Sequence, residues 1–413
     1  METLVKNDVI VLGILMLVLG LVFTTAASEH KFWKRFYTFI PPIFLCYFIP
    51  GLFNSFGLIS GSLSGLNKMA STYLLPASLV LLTLGLDFPS LRKLGGKAVL
   101  IFFAGTLGII LGGPIALSIG KLIHPEAFAG TGPDEVWRGM ATIAGSWIGG
   151  GANQAAMKEM FQPSAPLFSG MIAVDVLVAN VLMALLLFMA GKNDRINRFL
   201  NADTRSLDEV KARLVAIRNE NARIPSSTDL MKIAAVGIVP TGLAHLLANR
   251  IGPYLGAHFP ELSQKLSLSS TFFWMVLLVS LFGILMSLTP LKKLEGAGAS
   301  KVGTVFLYIL VATIGMNMDV LSIFDTPVFF LVGFIWILFH LVVIFLAAKL
   351  TRAPLFFVAV GSQANVGGAA SAPVVASAFD SALAPVGAIL AVLGYAIGTY
   401  GAYISALIMQ AIY

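Results

Sequence analysis

Apolar stretches of about 20 residues recur along the whole chain, at about 8–26, 36–54, 69–86, 98–120, 138–158, 165–190, 230–248, 270–289, 302–318, 327–348, 355–378 and 383–411. A helix of that length just crosses a bilayer core of about 30 Å. No water-soluble fold has a use for twelve of them. The chain is 57% hydrophobic and 11% charged, against about 45 to 50% and about 25% in soluble domains. The sequence therefore predicts an integral membrane protein in contact with the lipid bilayer. A net charge of +7 raises the question of nucleic acid, but Lys and Arg stand in short loops between apolar runs rather than on one polar face, which is a topology pattern. Nucleic acid is not an expected partner. The single cysteine, Cys46, lies inside an apolar run and reads as a small core residue.

Six apolar segments lie on each side of one polar interruption, Lys192 to Asp229, which holds eight Lys or Arg residues. Residues 1–191 and 230–413 thus form two halves joined by a basic linker, 192–229. In the linker Leu207, Val210, Leu214 and Ile217 recur at helical spacing, as in a short surface helix. The halves resemble each other. The fifth segment carries Gly145-Ser146-Trp147-Ile148-Gly149-Gly150-Gly151-Ala152-Asn153, and the eleventh Gly361-Ser362-Gln363-Ala364-Asn365-Val366-Gly367-Gly368-Ala369-Ala370-Ser371. Thr83-Leu84-Gly85-Leu86-Asp87 closes the third segment, and Thr313-Ile314-Gly315-Met316-Asn317 the ninth.

Cytoplasmic loops are enriched in Lys and Arg. Lys31, Lys34 and Arg35, then Arg92, Lys93 and Lys97, and later Lys292 and Lys293 mark cytoplasmic loops. The loop with Glu126, Asp134 and Glu135 and the loop with Asp319 and Asp325 fall outside. The third and ninth segments then run in opposite directions. Six full crossings per half would make the halves parallel, so one segment per half does not cross. The glycine-rich segments fit, because a run of about 25 residues broken in its middle has arms too short to span. The expected fold is an all-α polytopic membrane protein of two inverted-topology repeats, each about five spanning helices plus one glycine-rich re-entrant or broken helix. The linker then lies in the cytoplasm, beneath a multi-pass protein of the cell membrane. The competing reading keeps twelve spans with the glycine segments crossing as broken helices.

A non-helical turn at membrane depth persists only where it is buried in protein or lines a watery cavity. Glycine lets a ligand approach the main chain, and the start of a returning helical arm offers free amides and a positive dipole end. The candidate binding residues are Ser146, Gly149, Gly150, Gly151, Asn153, Gln154, Ser362, Gln363, Asn365, Gly367, Gly368 and Ser371. They supply uncharged donors and oxygens suited to a carboxylate or a sodium ion. Asp175 joins them as an acid in the sixth segment, where a carboxylate faces a cavity or a partner. No partner for it is visible in the sequence, since Asn180 stands at a poor helical spacing. Asp87 and Asn317 are secondary candidates; His245 and His340 read as packed or capped. No phosphate-binding loop, His-Glu-x-x-His or Gly-x-Ser-x-Gly pattern is present. The chain reads as a carrier, not an enzyme, and no cofactor is expected beyond a coupling Na+ or H+.

Paired glycine-rich tips in an inverted repeat resemble the 2-hydroxycarboxylate transporters and the glutamate:sodium symporters. Gly149-Gly150-Gly151 and Gly367-Gly368 are similar to their Gly-Gly-x-Gly motif, although Ala369 and Ala370 follow the second pair. Over nearly its full length the chain looks like the integral membrane family called domain of unknown function 819, by the Gly145 to Asn153 stretch and the basic linker. That resemblance implies kinship with the cation/proton antiporter and bile-acid transporter superfamily. It further implies an elevator mechanism, often in a homodimer, in which segments three to six and nine to twelve move against a scaffold of one, two, seven and eight. The leading expectation is a sodium- or proton-coupled secondary transporter of a small organic anion, amino acid or short peptide. A cation/proton antiporter exchanging on Asp175 is the alternative, and a membrane-embedded enzyme or sensor comes third.

Overall fold

In the computed structural model the described residues are 4–413 except 41, 62, 87–91, 93, 206–223, 266–267, 318–326 and 381–382. Their regular structure is helical, apart from one isolated parallel bridge between Val5 and Ile59. The helices are α1 Asp8–Ala26, α2 Lys31–Phe39, α3 Pro42–Ser55, α4 Leu66–Met69, α5 Leu75–Leu84, α6 Gly96–Ile123, α7 Val136–Phe161, α8 Ala165–Ala190 and α9 Asn193–Leu200. They continue with α10 Ser227–His258, α11 Pro260–Lys265, α12 Thr271–Ser287, α13 Ala299–Gly315, α14 Val328–Thr351, α15 Leu355–Val366, α16 Gly368–Phe379 and α17 Ala384–Ile412. A π turn, Ala70–Leu74, joins α4 to α5.

Local chemistry sets the ends. Asn7 caps α1 by accepting from the Val9 amide at 2.9 Å, and Ser226 and Asp229 form a reciprocal capping box on α10. The left-handed Gln162 (φ 47°) reverses the chain from α7 into α8. Inside the apolar helices, hydroxyls bond back to carbonyls one turn earlier, as Thr83 Oγ1 does to Leu79 O at 2.8 Å. Such bonding satisfies polar groups where there is no water.

Among the described residues, six helices are long and apolar enough to cross a membrane: α1, α6, α8, α10, α14 and α17. The number rises to eight if two sharply bent pairs each count as one span. The expected second segment is one of these pairs, since α2 meets α3 at 87°. Proline accounts for the break, because Pro42 opens α3 and cannot continue a preceding helix. α2 carries Lys31, Lys34 and Arg35 beside Phe32, Trp33, Phe36 and Tyr37. That composition suits the membrane surface rather than its interior. The surface helix expected in the linker lies outside the described residues.

The helices sort into two packed groups. α1, α3, α4, α5, α10, α12 and α13 form the first, and α6, α7, α8, α14, α15, α16 and α17 the second. The third and ninth segments therefore sit with segments one, two, seven and eight, which corrects their expected place beside the glycine segments. The reason is a set of glycine notches. Gly283 of α12 leaves the space that Thr83 fills, Gly303 of α13 seats Leu81 (2.9 Å from where a Cβ would stand), and Gly237 of α10 admits Leu81 and Ala77. α5 is thereby held on three sides. α6 and α14 make the matching contact in the second group. Gly105, Gly108, Gly112 and Gly113 of α6 form a groove for His340 and Trp336, and the Trp336 ring nitrogen donates to Ile109 O at 2.8 Å.

Both glycine-rich segments double back. In α7 the break is Gly150 (φ 72°, ψ −174°). A methyl group on Gly145 would meet Asn153 O at 2.6 Å and Met157 Cγ at 2.9 Å, although Met157 stands more than three turns further along the chain. At the open end, the rings of Trp137 and Phe161 lie 5.3 Å apart, and the Arg138 guanidinium donates to Phe161 O at 2.8 Å. In the eleventh segment the break falls between α15 and α16 at Gly368 (φ 61°), and the rings of Phe356 and Phe379 lie 5.5 Å apart. Each arm of this second hairpin has 12 residues. At about 1.5 Å per residue that is about 18 Å, roughly half a bilayer.

The hairpins open at opposite ends of α6. At its start, Lys97 pairs with Asp203 at 2.9 Å, Asp203 N donates to Arg352 O at 2.9 Å, and Asn197 Oδ1 accepts from the Leu355 amide at 2.8 Å. All of this surrounds the base of the second hairpin. At the far end of α6, Lys121 donates to Tyr413 O at 2.7 Å. Tyr413 Oη donates to Phe128 O at 2.6 Å, beside the loop that leads into the first hairpin.

Candidate functional site

The first hairpin is closed by one carboxylate. Asp175, on α8, accepts from Ser146 Oγ at 2.7 Å, from Trp147 Nε1 at 2.7 Å and from Gln154 Nε2 at 2.9 Å. Ser146 and Trp147 belong to the outgoing arm and Gln154 to the returning one, so Asp175 ties both arms to α8. The carboxylate has three donors where the sequence showed none. All four side chains are buried, and Trp147 also packs edge-on against Trp336 at 5.0 Å.

The second hairpin is closed without charge. Gln363 Nε2 donates to Ser371 Oγ at 2.7 Å, from one arm to the other. Ser362 does not join it. Its hydroxyl faces His340 Nε2 at 2.8 Å, and His340 Nδ1 lies 2.9 Å from Gly105 O. Because that carbonyl only accepts, Nδ1 carries the proton and Nε2 receives the Ser362 hydroxyl. His245 lies with its Nε2 3.1 Å from Thr72 O. The two Gly-Ser pairs that matched in sequence stand at different distances from their breaks, Gly150 and Gly368, so Ser146 and Ser362 face different surroundings.

The two asparagines perform the same task. Asn153 Nδ2 donates to Gly149 O, four residues back, at 2.7 Å and to Tyr395 O at 3.4 Å, while its Oδ1 accepts from Thr399 Oγ1 at 2.6 Å. Asn365 Nδ2 donates to Gly361 O, also four residues back, at 3.0 Å and to Phe102 O at 3.1 Å. Its Oδ1 accepts from Thr106 Oγ1 at 2.8 Å. Each amide straps its hairpin to a neighbouring helix through a carbonyl and a threonine one turn apart. With both N–H groups donating and the oxygen accepting, Asn153 and Asn365 hold the hairpins in place.

The open part of the site is the meeting of the tips. Tyr395 of α17 lies between them, its Cε1 3.0 Å from where a Cβ on Gly150 would stand and its hydroxyl 3.6 Å from the corresponding point on Gly368. Gly394 and Gly398 let α17 approach the first tip closely. A Cβ on Gly398 would fall 2.6 Å from the Gly149 Cα. Gly151 faces the other helical group, 3.0 Å from Ile43 Cδ1 by the same measure. Gly150, Gly151, Gly367, Ser371 and Tyr395 are partly exposed, whereas Gly149, Gly368 and Gln363 are buried. The junction between the groups passes here as well. Tyr400 Oη donates to Leu277 O at 3.0 Å, Thr399 and Ser280 lie 3.4 Å apart, and Tyr403 packs on Phe273 with centroids 4.6 Å apart.

Of the secondary candidates, Asn317 donates to Thr313 O at 3.0 Å, crowds Gly61 and takes no part in the tips. Asp87 lies outside the described residues. Tyr395, Trp147, Thr106 and Thr399 are the site residues that sequence reading missed. Trp147 stood inside the quoted motif, and Tyr395, flanked by Gly394 and Gly398, carried the nearest thing to a signal. Outside the membrane-spanning segments, the hydrogen bond from Lys97 holds the Asp203 carboxyl below the usual carboxylate range.

Helical architecture, apolar spans and buried polar straps together define a polytopic all-α membrane protein. The chain belongs to the family described as "Protein of unknown function (DUF819)", whose model matches residues 13–412. It is similar to the uncharacterized membrane protein YjcL of Bacillus subtilis (strain 168), 26% identical over 333 residues, which cover 80% of each chain.

Proposed function

We propose that this protein is an ion-coupled secondary transporter, a carrier and not an enzyme. Its solute is a small organic anion, amino acid or short peptide, bound where the two hairpin tips meet. The observation that carries this reading is the convergence itself. Two glycine-broken hairpins open at opposite ends of α6, and their tips meet around a partly exposed Tyr395, at the junction of two helical groups. A backbone break at mid-depth is sustained where it serves a polar site. In this reading the halves are inverted repeats, the hairpins are re-entrant, and the linker faces the cytoplasm of a cell-membrane protein. The group carrying the hairpins slides against the other in an elevator motion, in a homodimer.

The test is thermal unfolding of purified protein in sodium or choline chloride, with organic acids, amino acids and short peptides added in turn. A ligand that binds only the folded state raises the melting temperature. One solute class is expected to raise it, more strongly in the presence of the coupling ion. A melting temperature that no solute moves under any ionic condition contradicts the reading.

A further inference from the structure

Among the described residues, the first tip has no buried side-chain polar atom without a partner, and the second has one. Ser146, Trp147, Gln154, Asn153 and Asp175 each make at least one hydrogen bond. At the second tip Gln363 spends its Nε2 on Ser371, and its Oε1 has no partner among the described residues although the residue is only 2% exposed. A buried carbonyl oxygen without a donor is destabilising, and one that persists at a candidate site calls for a ligand. The backbone adds to the same character. α15 ends at Val366, so the carbonyls of its last turn lack helical N–H partners and form the negative end of its dipole; Gly367 N takes the Gln363 carbonyl, at 2.8 Å.

We propose that the second tip holds the coupling ion, a monovalent cation of sodium size, on Gln363 Oε1 at the carboxyl end of α15. This deepens the transporter reading and rests on it. The stretch from Gly361 to Ser371 contains no acid. A divalent ion would bring two uncompensated charges into a buried place, while a monovalent ion brings one. The anionic group of the solute supplies the missing counter-charge. It docks at the amino end of α16, a few residues further on, where free amides and the positive dipole end face the same tip. Ion and solute therefore bind more tightly together than apart, each raising the other's affinity by the same factor. Gly367 keeps the arrangement closed, because a side chain there would collide with Ser371 Oγ and Gln363 Nε2.

Ser371 Oγ is able to donate or accept, so the opposite orientation of the Gln363 amide would turn an N–H toward the tip and select an anion. The experiment decides between them. The melting temperature of the purified full-length protein is titrated with sodium chloride against choline chloride, and with sodium gluconate against sodium chloride. A saturable rise that follows sodium and ignores the anion is expected. It should weaken more than tenfold in Gln363→Met, strengthen in Gln363→Glu, which keeps the oxygen and adds charge, and persist in Gln154→Met at the first tip. The Glu variant keeps the test decisive if the Met variant does not fold. A sodium response that survives Gln363→Met, or is unchanged in Gln363→Glu, overturns the site and leaves the carrier standing. The same holds for a response that follows the anion. A solute response without any cation response overturns the site in favour of proton coupling. Silence toward both sodium and every solute removes the carrier reading as well.

Discussion

The two hairpins use one backbone device and two different fastenings. The first is locked by the Asp175 carboxylate, which draws donors from both of its arms. The second is held by a single neutral bond, Gln363 to Ser371, and keeps an acceptor in reserve. Both are anchored to their neighbours by the same asparagine strap. The difference teaches that a glycine turn at membrane depth needs its arms tied together but does not dictate how. Among the described residues, the hairpin with the stronger tie has no buried side-chain polar atom without a partner. The one with the weaker tie retains an oxygen.

That comparison breaks most visibly at Asp175. Asp175→Ala strands three buried donors, each costing about 1–3 kcal/mol, whereas Ser371→Ala removes one neutral bond worth about 1 kcal/mol. Size-exclusion profiles and melting curves should show Asp175→Ala largely aggregated, with Ser371→Ala only slightly less stable than the parent. Equal losses would mean that the fastenings are equivalent.

The tips themselves come next in size. Alanine at Gly150 must hold φ 72° with ψ −174° and place its methyl 3.0 Å from Tyr395. Alanine at Gly368 needs φ 61° but meets nothing nearer than 3.6 Å. Gly150→Ala is expected to cost about 3 kcal/mol and Gly368→Ala about 1 kcal/mol, read as the drop in melting temperature. The straps should give the smallest contrast. Thr399→Val and Thr106→Val each take one donor from a buried amide oxygen, so both should destabilise by about 1–2 kcal/mol and by similar amounts. A large inequality would show that the two asparagines do not perform the same task.

Much of the fold was legible because its causes are local. Runs of apolar residues of bilayer length give the helices, and Gly150 and Gly368 mark the two breaks in the segments where sequence reading expected them. The contents of the site were harder to read. Ser146 and Gln154 gave no hint of a shared carboxylate, because Asp175 reaches them only once α8 packs along the hairpin. Ser362 looked equivalent to Ser146, yet a shift of two residues relative to the break turns it toward His340. Tyr395 and the two threonines lie on other helices and have no spacing that links them to the tips. The grouping of helices depended on Gly237, Gly283 and Gly303, notches whose partners a linear sequence does not name. The bend between α2 and α3 falls at Pro42, inside what the sequence presents as one apolar run, 36–54.

The central claim is that each glycine-rich segment enters and leaves on the same side. Topology around α7 and α8 tests it most directly. In a Cys46→Ser background, Thr131→Cys lies before the first hairpin and Asp194→Cys just after α8, both at exposed positions. Labelling intact cells with a membrane-impermeant maleimide, before and after permeabilisation, reads the side of each. If α7 doubles back, only α8 crosses between them, and the two cysteines react from opposite faces. Reaction of both from the same face would mean that α7 crosses too, and the account of the hairpins would be wrong.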